Sequence, residues 1–246
     1  MREQNNGDRS QIVTRFGARW RCTLPPAPPL VSLIILTCNR PAYLRLALAA
    51  AESQTYPNLE AVVVDDGPTR PVPKSILKHQ RRTPIRLVRL PARASIGEKR
   101  NAGFRAAHGS VILHWDDDDL HHPQQVAALA CPIIANVSEI TALTFSYLGK
   151  PSRRGASFFE WGDGRGGAGH PPGPFLGSLA YHRSVATSVA TASAAPSPFA
   201  DVSLSEDLFF VERALLSCNR MLPVGGIPLV YTRRKPVGRL TTPAGG

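Results

Sequence analysis

Ser110-Val111-Ile112-Leu113-His114-Trp115 runs directly into Asp116-Asp117-Asp118-Asp119. An apolar run ending in clustered acids predicts a buried strand whose tip emerges at the surface. Four adjacent carboxylates repel one another, and a bound cation is the usual compensation. Oxygen-only ligands suit a hard divalent ion, Mg2+ or Mn2+, and such ions in turn suit phosphates. A solvated acidic loop is the plainer reading of the same residues.

The surroundings of this run decide its context. Residues 31–36 form a short apolar, β-rich stretch, and Asn39-Arg40-Pro41 follows, with Pro41 at a first helical position. An Ala- and Leu-rich helix is expected over 42–54, then a turn at Tyr56-Pro57-Asn58. A second strand over 59–64 ends in Asp65-Asp66-Gly67. A third is expected over 85–90. Ser95-Ile96-Gly97-Glu98 has the capping-box pattern and opens a helix to about residue 107, with Gly109 placed as its C′ glycine. Short strands alternating with helices predict βαβ units, a mostly parallel sheet and an α/β fold. Ligands of such sheets bind beyond the carboxyl ends of the strands. Three polar clusters fall at those ends: residues 37–40, Asp65-Asp66 and the tetra-aspartate run.

The second half is less regular. A helix is expected from Pro123 to about residue 135, a strand over 142–147 and a final strand over 227–233. Residues 149–177, rich in Gly and Pro, read as a functional or mobile loop that carries Trp161. Ser203–Glu206 is a second capping-box pattern, leading into a helix to about residue 217. Residues 1–29 read as a flexible leader ended by a proline-rich spacer, 30–235 as one domain and 236–246 as a disordered tail.

The chain has 246 residues and a formal net charge of +11, which favours polyanionic partners. No basic stripe is interleaved with aromatics, so nucleic acid is not the expected partner. The four cysteines form no CxxC pair, and free thiols are the default. No apolar run has the length of a membrane span. A cytoplasmic or membrane-peripheral location is the expectation.

Val31-Ser32-Leu33-Ile34-Ile35-Leu36-Thr37-Cys38-Asn39-Arg40-Pro41, then Val62-Val63-Val64-Asp65-Asp66-Gly67, Lys99-Arg100-Asn101-Ala102-Gly103, the tetra-aspartate run and Ser205-Glu206-Asp207 occur in this order. The set resembles family 2 glycosyltransferases of GT-A fold. That resemblance implies a Rossmann-like three-layer sandwich with a mostly parallel central sheet. It also implies inverting transfer of a sugar from a nucleoside-diphosphate-sugar donor to an acceptor hydroxyl. Carried over, Thr37, Asn39, Arg40, Asp65, Asp66, Arg100, Asp116 and Asp117 would bind the donor. Asp116 and Asp118 would hold Mg2+ or Mn2+. Asp207 would be the catalytic base, and Trp161, Gly177 and Glu206 would lie on the acceptor side.

Plainer readings stand beside these. Asp65-Asp66-Gly67 also reads as a strand-end turn, Glu206-Asp207 as helix N-terminal acids, and Lys99-Arg100 as a solvated helix face. His121 and His122 read as caps of the following helix rather than metal ligands. Trp161 reads equally as a buried loop residue, and residues 177–180 as a turn. The chain departs from relatives that complete the metal sphere with a late histidine: no His follows His182, and Arg233 stands in the comparable region. A nucleotidyltransferase on a similar sheet is a competing reading, opposed by the lack of glycine in residues 37–40. A catalytically silent module binding a nucleotide or an acidic ligand is another.

Overall fold

The computed structural model describes residues 11–16, 18–78, 82–144, 146–152, 155–161, 175–192, 197–217, 219–225 and 229–232. The apolar runs become strands because both of their faces are buried. In β3 (Val31–Thr37), Leu33 and Ile35 face one core and Ile34 the other. In β4 (Leu59–Asp65), Ala61 and Val63 alternate with Val62 and Val64 in the same way. In β6 (Val111–Asp116), Val111, Leu113 and Trp115 share the first face, with Ile112 on the second. Strands covered on both sides lose the polar alternation of a half-exposed sheet.

The covers are helices. α1 (Pro41–Glu52), α2 (Lys74–Lys78) and α4 (Gln125–Ile134) bury Leu44, Ile76 and Leu129 in the first core. α3 (Ile96–Ala106), α5 (Arg183–Ala192) and α6 (Glu206–Leu216) bury Ala102, Val185 and Phe210 in the second. The result is three layers around a seven-stranded sheet. Its remaining strands are β5 (Ile85–Arg89), β8 (Ile140–Leu143), β11 (Phe175–His182) and β12 (Met221–Val224). The order is β12-β8-β11-β6-β3-β4-β5, and β11 alone runs antiparallel to its neighbours. The expected mostly parallel sheet is therefore present. The chain proceeds outward from β3 through β4 to β5, then returns to β6 on the other side of β3. The carboxyl ends of β3 and β6 thus flank a topological switch point.

A second sheet has the order β10-β9-β13-β7, formed by β7 (Leu120–His121), β9 (Ser146–Ser152), β10 (Gly155–Trp161) and β13 (Leu229–Thr232). Much of the expected 149–177 loop is therefore hairpin; residues 162–174 lie outside the described residues. Residues 177–180, read as a turn or an acceptor lining, belong to β11, whose register against β8 shifts between Phe175 and Ala180. Within the stretch read as a flexible leader, β1 (Gln11–Phe16) and β2 (Ala18–Thr23) pair as an antiparallel hairpin. Residues 1–10, Arg233 and the 236–246 tail lie outside the described residues.

Three local expectations change. Gly109 does not end α3 as a left-handed C′ residue; the C-cap is Ala107 in extended backbone. A Cβ at Gly109 would meet Ser32 Oγ at 2.6 Å and Leu30 O at 2.7 Å, so close approach requires the glycine there. Ser203 does not cap α6. The N-cap is Ser205, in left-handed backbone (φ 61°) without a side-chain cap bond, and Ser203 Oγ instead accepts from Ile96 N. Cys131 is disulfide-bonded, contrary to the expectation of free thiols, because spacing along a chain does not set distance in space. Cys38 is a free thiol.

Candidate functional site

The carboxyl ends of β3, β4 and β6 bring the predicted clusters together. Thr37 pairs in register with Asp65, and Leu36 with Asp116. Across the switch point, Thr37 Oγ1 donates to Asp117 Oδ2 at 2.8 Å. Arg40 Nη1 reaches Asp117 Oδ1 at 3.2 Å and Asp118 Oδ2 at 3.1 Å. The acids do not form one uniform cluster. The Asp117 side chain is 3% exposed, whereas Asp116 and Asp118 keep 28% and 24%. The two outer carboxylates of the Asp-x-Asp triplet are therefore open while the middle one is tied to Thr37 and Arg40.

Burial pushes the Asp117 carboxyl up from 3.8 to about 6, against the opposing bonds from Thr37 and Arg40. A carboxyl raised in the folded state binds its proton more tightly there than in the unfolded chain. Its contribution to stability is complete at acid pH and is lost as pH rises through that window. Asp117→Asn removes the titration. Between pH 4 and pH 7, wild type should lose about 2 kcal/mol relative to the variant, most of the full shift at 1.36 kcal/mol per pKa unit. Urea denaturation of both proteins at the two pH values checks this, and a constant gap between them contradicts it.

The 65–72 loop is organised by its own acid. Asp65 Oδ1 accepts from Gly67 N at 2.9 Å, and Oδ2 accepts from Val72 N at 3.0 Å, with Arg89 Nη2 at 3.4 Å. Asn39, in left-handed backbone (φ 56°), accepts from Thr69 N and Arg70 N through Oδ1. Asn tolerates that conformation better than most residues. Asp66 is buried; Lys99 Nζ lies 3.2 Å from Oδ1, and Ala94 N donates to Oδ2. Burial pushes the Asp66 carboxyl up, but the Ala94 N–H and the Lys99 charge outweigh it and hold it below the usual range.

α3 carries the basic residues and also positions α6. Gly97 and Gly103 let it pack closely: a Cβ at Gly97 would meet Ala200 O at 1.7 Å, and one at Gly103 would meet Ile34 Cγ2 at 2.5 Å. Asn101 grips the Phe199 backbone at both ends, with Nδ2 donating to its O and Oδ1 accepting from its N, each at 2.9 Å. Gly97 N donates to Val202 O. These contacts fix the segment that leads into Ser205-Glu206-Asp207.

Lys99 and Arg100 are buried, which removes the solvated-face reading. Arg100 Nη2 lies 3.5 Å from Asp116 Oδ1, and Arg100 Nε lies 3.5 Å from Glu206 Oε1. One guanidinium therefore joins the acidic tip to the start of α6. Glu206 is buried, and burial raises its carboxyl above the usual range despite Arg100. Asp207 beside it is half-buried, with Oδ1 accepting from Leu208 N at 2.8 Å. Sequence reasoning missed this bridge, and it missed His114 and Tyr181 beside it. Its available signal was the small residues Gly97, Ala102 and Gly103, which predict a helix closely packed on several sides.

His121 is structural. It stacks on Trp115 with ring centroids 3.6 Å apart, and its nitrogens lie 3.1 Å from Asp116 O and Gln125 Oε1. Burial lowers its imidazole to about 4. His122 Nδ1 accepts from Gln124 N just ahead of α4. Gly177 is half-buried in β11. Trp161 ends β10 opposite Ser146, and its side chain lies outside the described residues. Among the described residues, no three His, Cys, Asp or Glu side chains gather as a metal cage. Two open carboxylates still suit an ion such as Mg2+, which takes few protein ligands and completes its shell with phosphate and water oxygens. Among the described residues, no helix is long and apolar enough to cross a membrane.

The fold is shared with solved structures that hold nucleotide sugars. It matches S. aureus TarS 1–349 in complex with UDP-GlcNAc at TM-score 0.60 and 20% identity, covering 83% of this chain and 59% of that one. It matches the mannosyltransferase PcManGT from Pyrobaculum calidifontis, in complex with GDP-Man and Mn2+, at TM-score 0.64 and 16% identity, covering 87% and 60%. The expected GT-A architecture is thereby borne out. By sequence, the chain is 34% identical over 97 residues to an uncharacterized glycosyltransferase of Nostoc sp., covering 39% of this chain and 30% of that protein. It is 31% identical over 100 residues to the uncharacterized glycosyltransferase YwdF of Bacillus subtilis, covering 41% and 37%. The aligned stretch thus spans about a third of these relatives. The profile described as glycosyl transferase family 2 matches residues 32–161, from β3 through the acidic tip to the end of β10, and with more than half its length inside that match this chain belongs to the family.

Proposed function

We propose that the chain transfers a sugar from a nucleoside-diphosphate donor to an acceptor hydroxyl, with inversion at the anomeric carbon and assistance from a divalent cation. The observation that carries this reading is Arg100, within 3.5 Å of both Asp116 and Glu206. It supports the reading by linking the acidic tip to Glu206 at the start of α6, next to the proposed base Asp207.

Thr37, Asn39, Arg40, Asp66 and Asp117 form the nucleotide side of that rim. Asp65 contributes by holding the 66–72 loop in shape. Asp116 and Asp118 would hold Mg2+ or Mn2+, which would supply positive charge to the leaving diphosphate. Arg40 also sits on Asp118 and keeps positive charge at the same carboxylate. Arg100 adds fixed positive charge behind Asp116. Asp207 accepts the acceptor hydroxyl proton on the side of the sugar opposite the leaving group. Glu206, Gly177 and Trp161 belong to the acceptor side.

The donors bound in the two structural neighbours are the first to try. Melting curves with UDP-GlcNAc, GDP-mannose and dTDP-glucose, each with and without Mn2+, test the reading. One donor is expected to raise the midpoint by about 5–10 °C at a hundredfold excess over its Kd, and only with the metal. No shift with any donor would favour a catalytically silent module.

A further inference from the structure

Three side chains beside the bridge share an unmet need. His114 and Asp116 are two residues apart on β6 and therefore share a face of the strand. Arg100 lies over that face, since it reaches Asp116. Tyr181, on the neighbouring strand β11, meets His114 edge-on with ring centroids 5.7 Å apart. All three are buried: His114 and Tyr181 are 0% exposed and Arg100 is 3% exposed. Yet among the described residues both ring nitrogens of His114, the Tyr181 hydroxyl and Nη1 of Arg100 have no hydrogen-bond partner, and Arg100 Nε has only its 3.5 Å ion-pair contact with Glu206. Phe199 and Phe210 wall the same place: Phe199 lies 5.4 Å from the His114 ring, and Phe210 lies 4.7 Å from Tyr181.

Interiors rarely leave one such atom unpaired, and several on adjacent side chains mark a site for buried water. His114 is wholly buried beside the Arg100 guanidinium, and each of its ring nitrogens needs a partner in either tautomer. A neutral ring offers one donor and one acceptor. Arg100 offers only donors, and the tyrosine hydroxyl offers both. A water that accepts from Arg100 and donates to His114 or Tyr181 meets the part of this inventory that faces Arg100, which direct pairing of the three side chains leaves incomplete.

We propose that His114, Tyr181 and Arg100 enclose a buried water site, and that His114 and Tyr181 act through this water as positioning residues for Arg100. The guanidinium is then held from behind while it faces Asp116 and Glu206. The proposal rests on the bridging role given to Arg100 above, but its first test needs neither donor nor turnover.

A crystal structure of the unliganded protein should show ordered water within hydrogen-bonding distance of Arg100 and of His114 or Tyr181. A dry or collapsed pocket overturns the site. In His114→Leu and Tyr181→Phe crystals the water should be lost and Arg100 displaced from Asp116 and Glu206. An unmoved Arg100 in both overturns the positioning role. His114→Gln keeps a donor and an acceptor and should restore both water and guanidinium. With the donor found by the melting panel, His114→Leu should lower kcat about tenfold at unchanged KM, with recovery in the Gln variant. Equal losses in the Leu and Gln variants overturn the positioning role. If no donor turns over, the proposed function fails while the crystallographic result still decides the water.

Discussion

Asp207→Asn is expected to lower turnover by about 10²–10⁴-fold, the range of a lost general base, while donor affinity stays within about twofold. The substitution is nearly isosteric. Asp207 Oδ1 accepts from Leu208 N at 2.8 Å, and an amide oxygen can accept the same bond, so the first turn of α6 should stand. What the amide cannot do is take a proton from an acceptor hydroxyl. Its neighbour supplies the control. Glu206 is buried against Arg100, so Glu206→Gln perturbs the bridge more than any proton transfer. Release of nucleoside diphosphate gives turnover, and calorimetric titration gives donor affinity. Should Glu206→Gln abolish turnover while Asp207→Asn leaves it intact, the base is Glu206 and the assignment made here is wrong.

Much of this site could be read from the chain because both faces of its strands are buried. Continuous apolar runs announce β3, β4 and β6, and the polar residues that interrupt them must lie at the ends. Thr37, Asp65-Asp66 and the tetra-aspartate tip were legible for that reason. Long-range polar pairings were not. Nothing local to Lys99-Arg100 reveals that its cations are buried, because their partners Asp66, Asp116 and Glu206 come from three other elements. α5 was also missed. Its Ser, Thr and Val residues are indifferent helix formers. Thr187, Ser188 and Thr191 bond back to carbonyls four residues earlier, which satisfies their hydroxyls within the helix. β11 escaped because its Gly-containing start follows a Gly- and Pro-rich stretch, and its antiparallel insertion between β6 and β8 is a fact of topology rather than of local pattern.

Two of the three non-glycine residues with left-handed backbone among the described residues, Asn39 and Ser205, flank the two halves of the site. Such conformations are retained where surrounding contacts over-determine them. At Asn39 those contacts are the Thr69 and Arg70 amides. At Ser205 they come from α3, which anchors residues 199–203. The same helix supplies Arg100, so one element sets both the place of α6 and the charge that joins it to the acidic tip.

Arg100→Met therefore carries the largest expected loss of stability. It leaves Glu206 buried without its cation, and breaking one side of a buried pair costs about 3–5 kcal/mol near neutral pH. The loss should depend on pH in a fixed direction. The Glu206 carboxyl is already raised by burial, and removing the opposing Arg100 charge raises it further. A carboxyl raised in the folded state favours folding most when protonated, so the variant should approach wild type near pH 4.5 and fall away as pH rises towards 7. Urea denaturation at both pH values measures this. Arg100→Lys separates charge from geometry. Its single ammonium keeps a cation in place but cannot span Asp116 and Glu206 as the guanidinium does. The Lys variant should recover most of the stability and little of the turnover. An Arg100→Met protein as stable as wild type at pH 7, with turnover intact, would mean that the acidic tip and the start of α6 are held together by packing alone.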